Sequence, residues 1–560
     1  MDDVDAVQAQ IARNMLDSGD WVIARLDGVP YLEKSPLIYW LIATSYRFLG
    51  VHDWVARIPV ALAAILLCWV TSRYARWAFG EREGFYAGLS LATCSGLWLF
   101  TRIQIPDVML TLSVCFAFWS VQRACDSKES QPHRWAMLFA ASLGVGLMLK
   151  GLIAVVAPVG GILTYLGVTR QLFSREIWRR LHVPSGLLIV LIIAAPWHVL
   201  ATLRMPPYFD FTMHSGPGEY RGFFWFYFIN EHVLRFLNLR YPRDYNTVPR
   251  AAFWLLHLLW LFPWSVYFPA AAALRYKPED RAGRTRLLAL CWTGFLLVFF
   301  TFSTTQEYYS MPVYPALAPL VGCAMAGETR WLRIGTRTVT VIASLAVVAI
   351  SAILILVRGI PAPGDISRAL QQHPEAYTLS LGHMGDLTLG SFAYLRLPLI
   401  IAGIAFLIGA LGGWFLKGHR AFLALAVMMV LFIHASRLAL VVFDPYLSSR
   451  PLATALERAP AGRLILNGPY YAFSSVFFYA NRTALLLDGR VNNLEYGSYA
   501  PGSPPVFING PQFVRLWTGP ERLYVLSNDV DVPHLTTLVG SSQLHEVAES
   551  GGKFLFCNHL

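Results

Sequence analysis

A polytopic, all-α membrane domain followed by a small soluble α/β domain is the fold class this sequence predicts, and three observations carry the prediction. Of 560 residues, 56% are hydrophobic and only 14% charged, against roughly 25% charged in ordinary soluble domains. Apolar stretches recur between residues 57 and 443, many close to the ~20 residues that cross a bilayer as a helix. After residue 443 the texture changes to short β-rich runs, helix-like stretches and Gly/Pro turns. Three regions follow: a first outer segment (1–55), a transmembrane domain (56–443) and an extracytoplasmic α/β domain (444–560).

The first segment opens with Asp2, Asp3 and Asp5. Ala6 to Leu16 then reads as an amphipathic helix, with Val7, Ile11 and Met15 on one face, expected to lie in the membrane interface. The cluster Tyr31-Leu32-Glu33-Lys34-Ser35-Pro36 precedes a second interfacial helix, Pro36 to Phe48, which is apolar but too short to span comfortably. Trp21, Tyr31, Tyr39, Trp40 and Trp54 suit interfacial depth.

Spans are expected near 57–78, 84–101, 107–125, 135–149, 151–168, 183–203, 250–273, 287–303, 310–326, 339–358, 394–416 and 421–443, twelve in all. Excess Lys and Arg should mark the cytoplasmic loops. With residues 1–55 outside, alternate loops carry Arg73, Arg76 and Arg82; Arg123, Lys128 and Arg134; Arg170 to Arg180; Arg275 to Arg286; Arg330 to Arg337; and Lys417 with Arg420. The outer side then holds residues 1–55, 204–249, 359–393 and everything after 443. In that last region Arg463–Leu466, Thr483–Leu487, Arg522–Leu526 and Lys553–Cys557 read as strands. The aromatic run Phe223 to Phe228 reads as a membrane-seated helix face.

A formal charge of +11 would suit nucleic acid if it were gathered on one soluble face, but the arginines are scattered in short loops, so anionic membrane lipid is the expected partner. Six of the seven cysteines sit in or beside apolar runs, with no disulfide framework or zinc spacing. No cleavable signal peptide and no internal repeat are visible, and the latter weighs against a transporter built from duplicated halves.

The outer ionisable residues are few and grouped. Transferring a glycosyl group from a lipid phosphate needs cations on the phosphate oxygens, where negative charge develops, and a carboxylate to take the acceptor's proton. Lys34, Lys150, Arg235 and Arg102 are the phosphate candidates; Asp2, Asp3, Asp5 and Asp107 are the acidic ones. No metal is required, because these cations serve in its place. Competing readings are a snorkelling lysine for Lys34, a helix N-terminal carboxylate for Asp107, and headgroup contact for each arginine of the 204–249 loop. Lys150, between two apolar runs, is expensive unless it faces water or a partner.

In their order along the chain, these residues resemble the GT-C membrane glycosyltransferases, in particular the lipid A aminoarabinose transferases and protein O-mannosyltransferases. The motifs are Asp2-Asp3-Val-Asp5, Tyr31-Leu-Glu33-Lys34-Ser-Pro36, Trp54-Val-Ala-Arg57-Ile-Pro59, Pro106-Asp107, Leu149-Lys150-Gly151, Asn230-Glu231-His232-Val-Leu-Arg235, Pro263-Trp264 and Tyr308-Tyr309 before Pro312. The resemblance implies transfer with inversion from a polyprenyl (undecaprenyl) phosphate sugar, with an acidic residue of the first outer loop catalytic. It also implies Lys34 on the donor phosphate, Asp107 as the second acidic residue, and a cavity lined by Tyr31, Glu33, Lys150, His232, Arg235 and Tyr308; Glu231 and Tyr309 beside them are further substrate-binding candidates. Family members begin with a helix that delivers the acidic pair outward; restoring it would give thirteen spans. Their acidic pair is usually Asp-Glu, so Asp2, Asp3 and Asp5 all stay open as the catalytic acid, and so does the sugar.

The expected activity is sugar transfer to an envelope acceptor, lipid A first and a protein second, in a bacterial inner membrane with the site on the periplasmic side. A lipid flippase is the rival from another class; it should carry charge near the bilayer midplane or on both faces, whereas here the charges gather outside.

Overall fold

The computed structural model describes residues 1–243, 247–303, 306–371 and 382–559, and the side chains of all of these except Gly382 and His383. Helix α1 (Asp3–Ser18) starts where the Asp2 carboxylate accepts from the Asp5 N–H and stops at Gly19, whose φ of 70° breaks the helical turn. Its apolar face is not left open for lipid, as the amphipathic pattern suggests. Ala6, Val7, Ala9, Ile11 and Ala12 are all fully buried. Helix α2 (Leu37–Leu49) and the C-terminal helix Ser474–Ala480 both pack against α1, so its apolar face meets protein where lipid was expected. Tyr31 and Tyr39 are likewise buried, whereas Trp54, Phe48 and Leu49 are exposed.

Between α1 and α2, strands β1 (Arg25–Leu26) and β2 (Val29–Pro30) form a hairpin. Its two-residue turn is Asp27-Gly28, both at positive φ (49° and 80°), the geometry that a tight two-residue hairpin demands and that Asp-Gly tolerates. The hairpin docks on the C-terminal region. A Cβ at Gly497 would lie 1.8 Å from the Pro30 carbonyl oxygen, so only glycine permits this approach.

Among the described residues, seven helices are long and apolar enough to cross a bilayer, or up to eight if the bent pair Arg250–Trp260 and Trp264–Ala272 is one span. The expected twelve therefore include stretches that are broken or short. The 84–101 span is two helices, α4 (Glu81–Ala92) and α5 (Ser95–Arg102). Its break faces the other break: the Ser95 N–H donates to the Phe262 carbonyl at 3.1 Å, and a Cβ on Gly96 would come within 2.7 Å of the Trp260 Cβ. Backbone groups freed at one interruption are thus satisfied at the other, as an apolar environment requires. Helices α3 (Asp53–Ala78), α6 (Asp107–Cys125), α7 (Pro132–Lys150) and α8 (Ile153–Val168) follow the expected positions.

The C-terminal residues form a six-stranded sheet, order β5-β4-β3-β6-β8-β7: β3 (Arg463–Asn467), β4 (Ala484–Leu487), β5 (Phe507–Ile508), β6 (Leu523–Asn528), β7 (His545–Ser550) and β8 (Lys553–Cys557). The first four are mutually parallel, and β8 and β7 add antiparallel. Strands β4 and β6 are buried on both faces, which is why they read as continuous apolar runs. The sequence shows four of the six; β5 has two residues and β7 is polar, so neither carries a signal. The aromatic run Phe223 to Phe228 is also turned inward: Phe223, Trp225, Phe226 and Tyr227 are buried, and Phe226 stacks on Tyr496 at 4.2 Å.

Candidate active site

A cavity of about 1500 Å³ opens where α1, the α5–α6 turn, the α7–α8 turn and the segment 227–240 meet beneath the C-terminal sheet. Its wall contains Asp2, Asp5, Glu33, Lys34, Arg102, Asp107, Lys150, Glu231, His232, Arg235, Tyr308 and Tyr309. Residues expected to converge from six separate stretches of chain therefore share one space. Beyond the charged part the wall is apolar, with Val156, Phe236, Phe299, Ile433 and Leu440 among its residues. Lys553, Asn528 and Tyr471 come from the C-terminal region.

Lys34 is set by its neighbours. Ser35, fully buried, donates to the Leu147 carbonyl at 2.9 Å and also hydrogen-bonds the Tyr227 hydroxyl, pinning this turn between the end of α7 and the segment Trp225–Leu234. That segment is a ten-residue π-helix, a geometry that often marks functional positions. Among the described residues Lys34 has no hydrogen-bond or ion-pair partner. Burial holds its ammonium below the ordinary lysine range, partly offset by the nearby Glu33 carboxylate.

Lys150 ends α7 and forms an ion pair with Asp107 at the start of α6. Its ammonium also lies over the rings of Tyr308 and Tyr309, at 5.1 and 4.9 Å from their centroids. Gly151 has φ of 72°, and a Cβ there would sit 2.1 Å from His232 Nε2. The Leu152 N–H donates to that nitrogen at 3.1 Å, so the His232 Nδ1 carries the proton and donates to the Tyr227 carbonyl. His232 thereby caps the α7–α8 turn, and burial keeps its pKa below the ordinary histidine value.

Arg240, 4% exposed, links the two glutamates: it donates to Glu33 Oε1 at 2.7 Å and pairs with Glu231. Arg235 donates to the other Glu231 oxygen at 2.6 Å. Although burial opposes ionisation, these two guanidinium groups hold the Glu231 carboxyl below its usual range. Arg240 was visible in the sequence only as one more arginine of a basic loop; nothing in its spacing separates it from Arg243. Arg57, part of the Trp54 to Pro59 motif, is a second such residue. It donates to Asp5 at 2.5 Å and to the Arg102 carbonyl at 2.6 Å.

The structure separates the acidic candidates. Asp3 does not stand free for chemistry: Lys553 at 2.5 Å, Ser449 at 2.8 Å and the Ser475 N–H at 2.8 Å occupy its oxygens and tie α1 to the C-terminal region. Asp5 is held by Arg57 and by the Gln104 N–H at 2.7 Å. Burial, reinforced by Asp2, pushes its pKa up to about 6. Asp107 is the counter-ion of Lys150. Asp2 caps α1, meets Arg102 at 3.3 Å and keeps 19% of its side chain exposed on the cavity wall. Tyr31, expected to line the cavity, stands behind it: its hydroxyl donates to Glu33 Oε2 at 2.9 Å. The other expected residues all reach the wall.

The structure of ArnT from Cupriavidus metallidurans bound to undecaprenyl phosphate superposes with a TM-score of 0.78 at 21% identity, covering 99% of this chain and 93% of that one. The chain has the ArnT fold. A family model described as dolichyl-phosphate-mannose-protein mannosyltransferase matches residues 33–199, a stretch that includes Glu33, Lys34, Asp107 and Lys150. The undecaprenyl phosphate-alpha-4-amino-4-deoxy-L-arabinose arabinosyl transferase of Aeromonas salmonicida is 28% identical over 365 residues, 61% of either chain. The protein of the same name from Erwinia tasmaniensis is 24% identical over 534 residues, 92% of this chain and 86% of its own. The first of these matches thus spans about three-fifths of its relative's length. The resemblance to GT-C glycosyltransferases of the aminoarabinose transferase kind, read from the motifs, holds in the fold as in the sequence.

Proposed function

We propose that this chain is an inverting membrane glycosyltransferase that moves a sugar from undecaprenyl phosphate, or a similar polyprenyl phosphate, to an envelope acceptor, lipid A first. One observation carries the reading: a half-buried lysine without a partner among the described residues, beside a second lysine and two arginines, at the polar end of a cavity whose remaining wall is apolar. The other cations on the wall are paired, Lys150 with Asp107, Arg235 and Arg240 with Glu231 and Glu33, and Arg102 with Asp2, which leaves the Lys34 ammonium as the cation without a partner among the described residues. A sugar-phosphate-polyprenol diester carries one negative charge, which that ammonium meets.

In the reaction the anomeric C–O bond to phosphate breaks as the acceptor oxygen bonds that carbon from the opposite face. The carrier leaves as a monoester with a second negative charge, which Lys34 and Lys150 stabilise where it develops. Asp2 positions the acceptor oxygen and takes its proton when that oxygen bears one. The chain's own cations supply the charge that a metal would otherwise bring. The prenyl chain lies along the apolar wall. In this reading the site faces the periplasm from a bacterial inner membrane, with residues 444–560 on the same side; the excess of Lys and Arg in the alternate loops supports that orientation.

Purified protein incubated with radiolabelled undecaprenyl phosphate sugars and envelope fractions tests the reading. Label is expected in lipid A; label in protein would make the acceptor a polypeptide, and no label from any donor would reject the function.

A further inference from the structure

Lys34 and Glu33 are neighbours in sequence and in electrostatics, yet they do not pair. The Glu33 carboxylate is the strongest charge raising the Lys34 pKa. Its two oxygens are engaged elsewhere: Oε1 accepts from Arg240 at 2.7 Å, and Oε2 from the Tyr31 hydroxyl at 2.9 Å. Arg240 and Glu33 expose only 1% and 5% of their side chains, so this pair is screened little by water. The Arg240 guanidinium is itself fixed, because it also holds Glu231 and donates to the Pro242 carbonyl at 2.5 Å. A planar fork that binds two carboxylates at once is what distinguishes arginine from lysine at such a position.

We infer that Arg240 is a positioning residue that sequesters the Glu33 carboxylate and so keeps the Lys34 ammonium open for the phosphate of a polyprenyl phosphate. The inference rests on the function proposed above and adds a residue to it. Without Arg240, the nearest anion to Lys34 is its own neighbour, and a phosphate must then displace Glu33 before it can bind. Arg240 acts through Glu33, with no contact to the phosphate, and this separates it from Lys34 itself.

The test is equilibrium binding of undecaprenyl phosphate to detergent-solubilised full-length protein: wild type, Arg240→Gln, Glu33→Gln and the Glu33→Gln/Arg240→Gln double variant. Arg240→Gln should weaken binding about tenfold or more, the loss of one charge-assisted contact. The double variant should return to within about threefold of wild type, because no carboxylate then competes for Lys34. A merely structural role would give a double variant no better than the single one, and that result overturns the inference. If Arg240→Gln does not fold, the double variant, with a neutral pair in place of the ionic one, decides: binding close to wild type supports sequestration, and a tenfold loss refutes it. Equal binding by wild type and Arg240→Gln refutes the sequestration alone, whereas wild-type protein that binds no undecaprenyl phosphate refutes the functional reading with it.

Discussion

Replacing Lys34 by alanine removes a charge that no protein group depends on. Among the described residues its ammonium pairs with nothing, so the variant leaves no orphaned carboxylate and should fold with an unchanged melting temperature. What it loses is the contact to phosphate, worth about 1.5–3 kcal/mol for a hydrogen bond to a charged group. That corresponds to a rise in the Kd for undecaprenyl phosphate of about 10- to 150-fold. Lys150→Ala is the informative contrast. Asp107, 2% exposed, would be left without its cation, and breaking a buried pair from one side costs about 3–5 kcal/mol, so this variant should lose stability as well as binding. The pH dependence adds a second signature. Because burial depresses the Lys34 pKa, wild-type donor binding should weaken on the alkaline side before an ordinary lysine would titrate, and Lys34→Arg should remove that limb. Binding isotherms across pH, with melting curves on the same samples, measure all of this. Undiminished binding by folded Lys34→Ala would refute the reasoning.

Three further outcomes are expected. Asp2→Asn should bind donor normally and fail in transfer, measured as label released from the carrier; full activity would remove Asp2 from the mechanism. Asp3→Asn should leave Lys553 without a full counter-charge and cost about 3 kcal/mol, read as a lower melting temperature and faster proteolysis within residues 444–560. Asp27, whose carboxyl burial pushes up to about 7, prefers its neutral form in the fold. Its contribution to stability is therefore full below about pH 3.8 and lost as the pH rises through about 7. Asp27→Asn should flatten that stretch of the stability curve, and an unaltered curve would mean that burial does not hold this carboxyl neutral in the fold.

What the sequence made legible was chemistry carried by rarity. A lysine between two apolar runs, an acidic start and a Glu-Lys pair before proline stand out in a chain this apolar, and all of them reach the same cavity. Most of the helices and four of the six strands followed from hydropathy, because burial in lipid or in a parallel sheet demands continuous apolar runs, whereas the breaks that reduce the crossing-length helices to seven or eight among the described residues did not. Partnership was not legible. Whether an acid is paired depends on tertiary neighbours such as Lys553 for Asp3, Arg57 for Asp5 and Lys150 for Asp107, each of which lies dozens to hundreds of residues away. The same limit hid the role of Arg240 and misplaced α1, since an amphipathic face reads alike whether it meets lipid or a packed protein surface.

A polyprenyl phosphate carrying a photoactivatable group close to its phosphate reports directly on where the donor sits. Cross-links should map to peptides containing Lys34, Leu149 to Val156 and Val233 to Leu237, and should vanish in Lys34→Ala. Cross-links confined to the lipid-facing helix Arg330–Leu356, or an unchanged map in that variant, would contradict the proposed donor site.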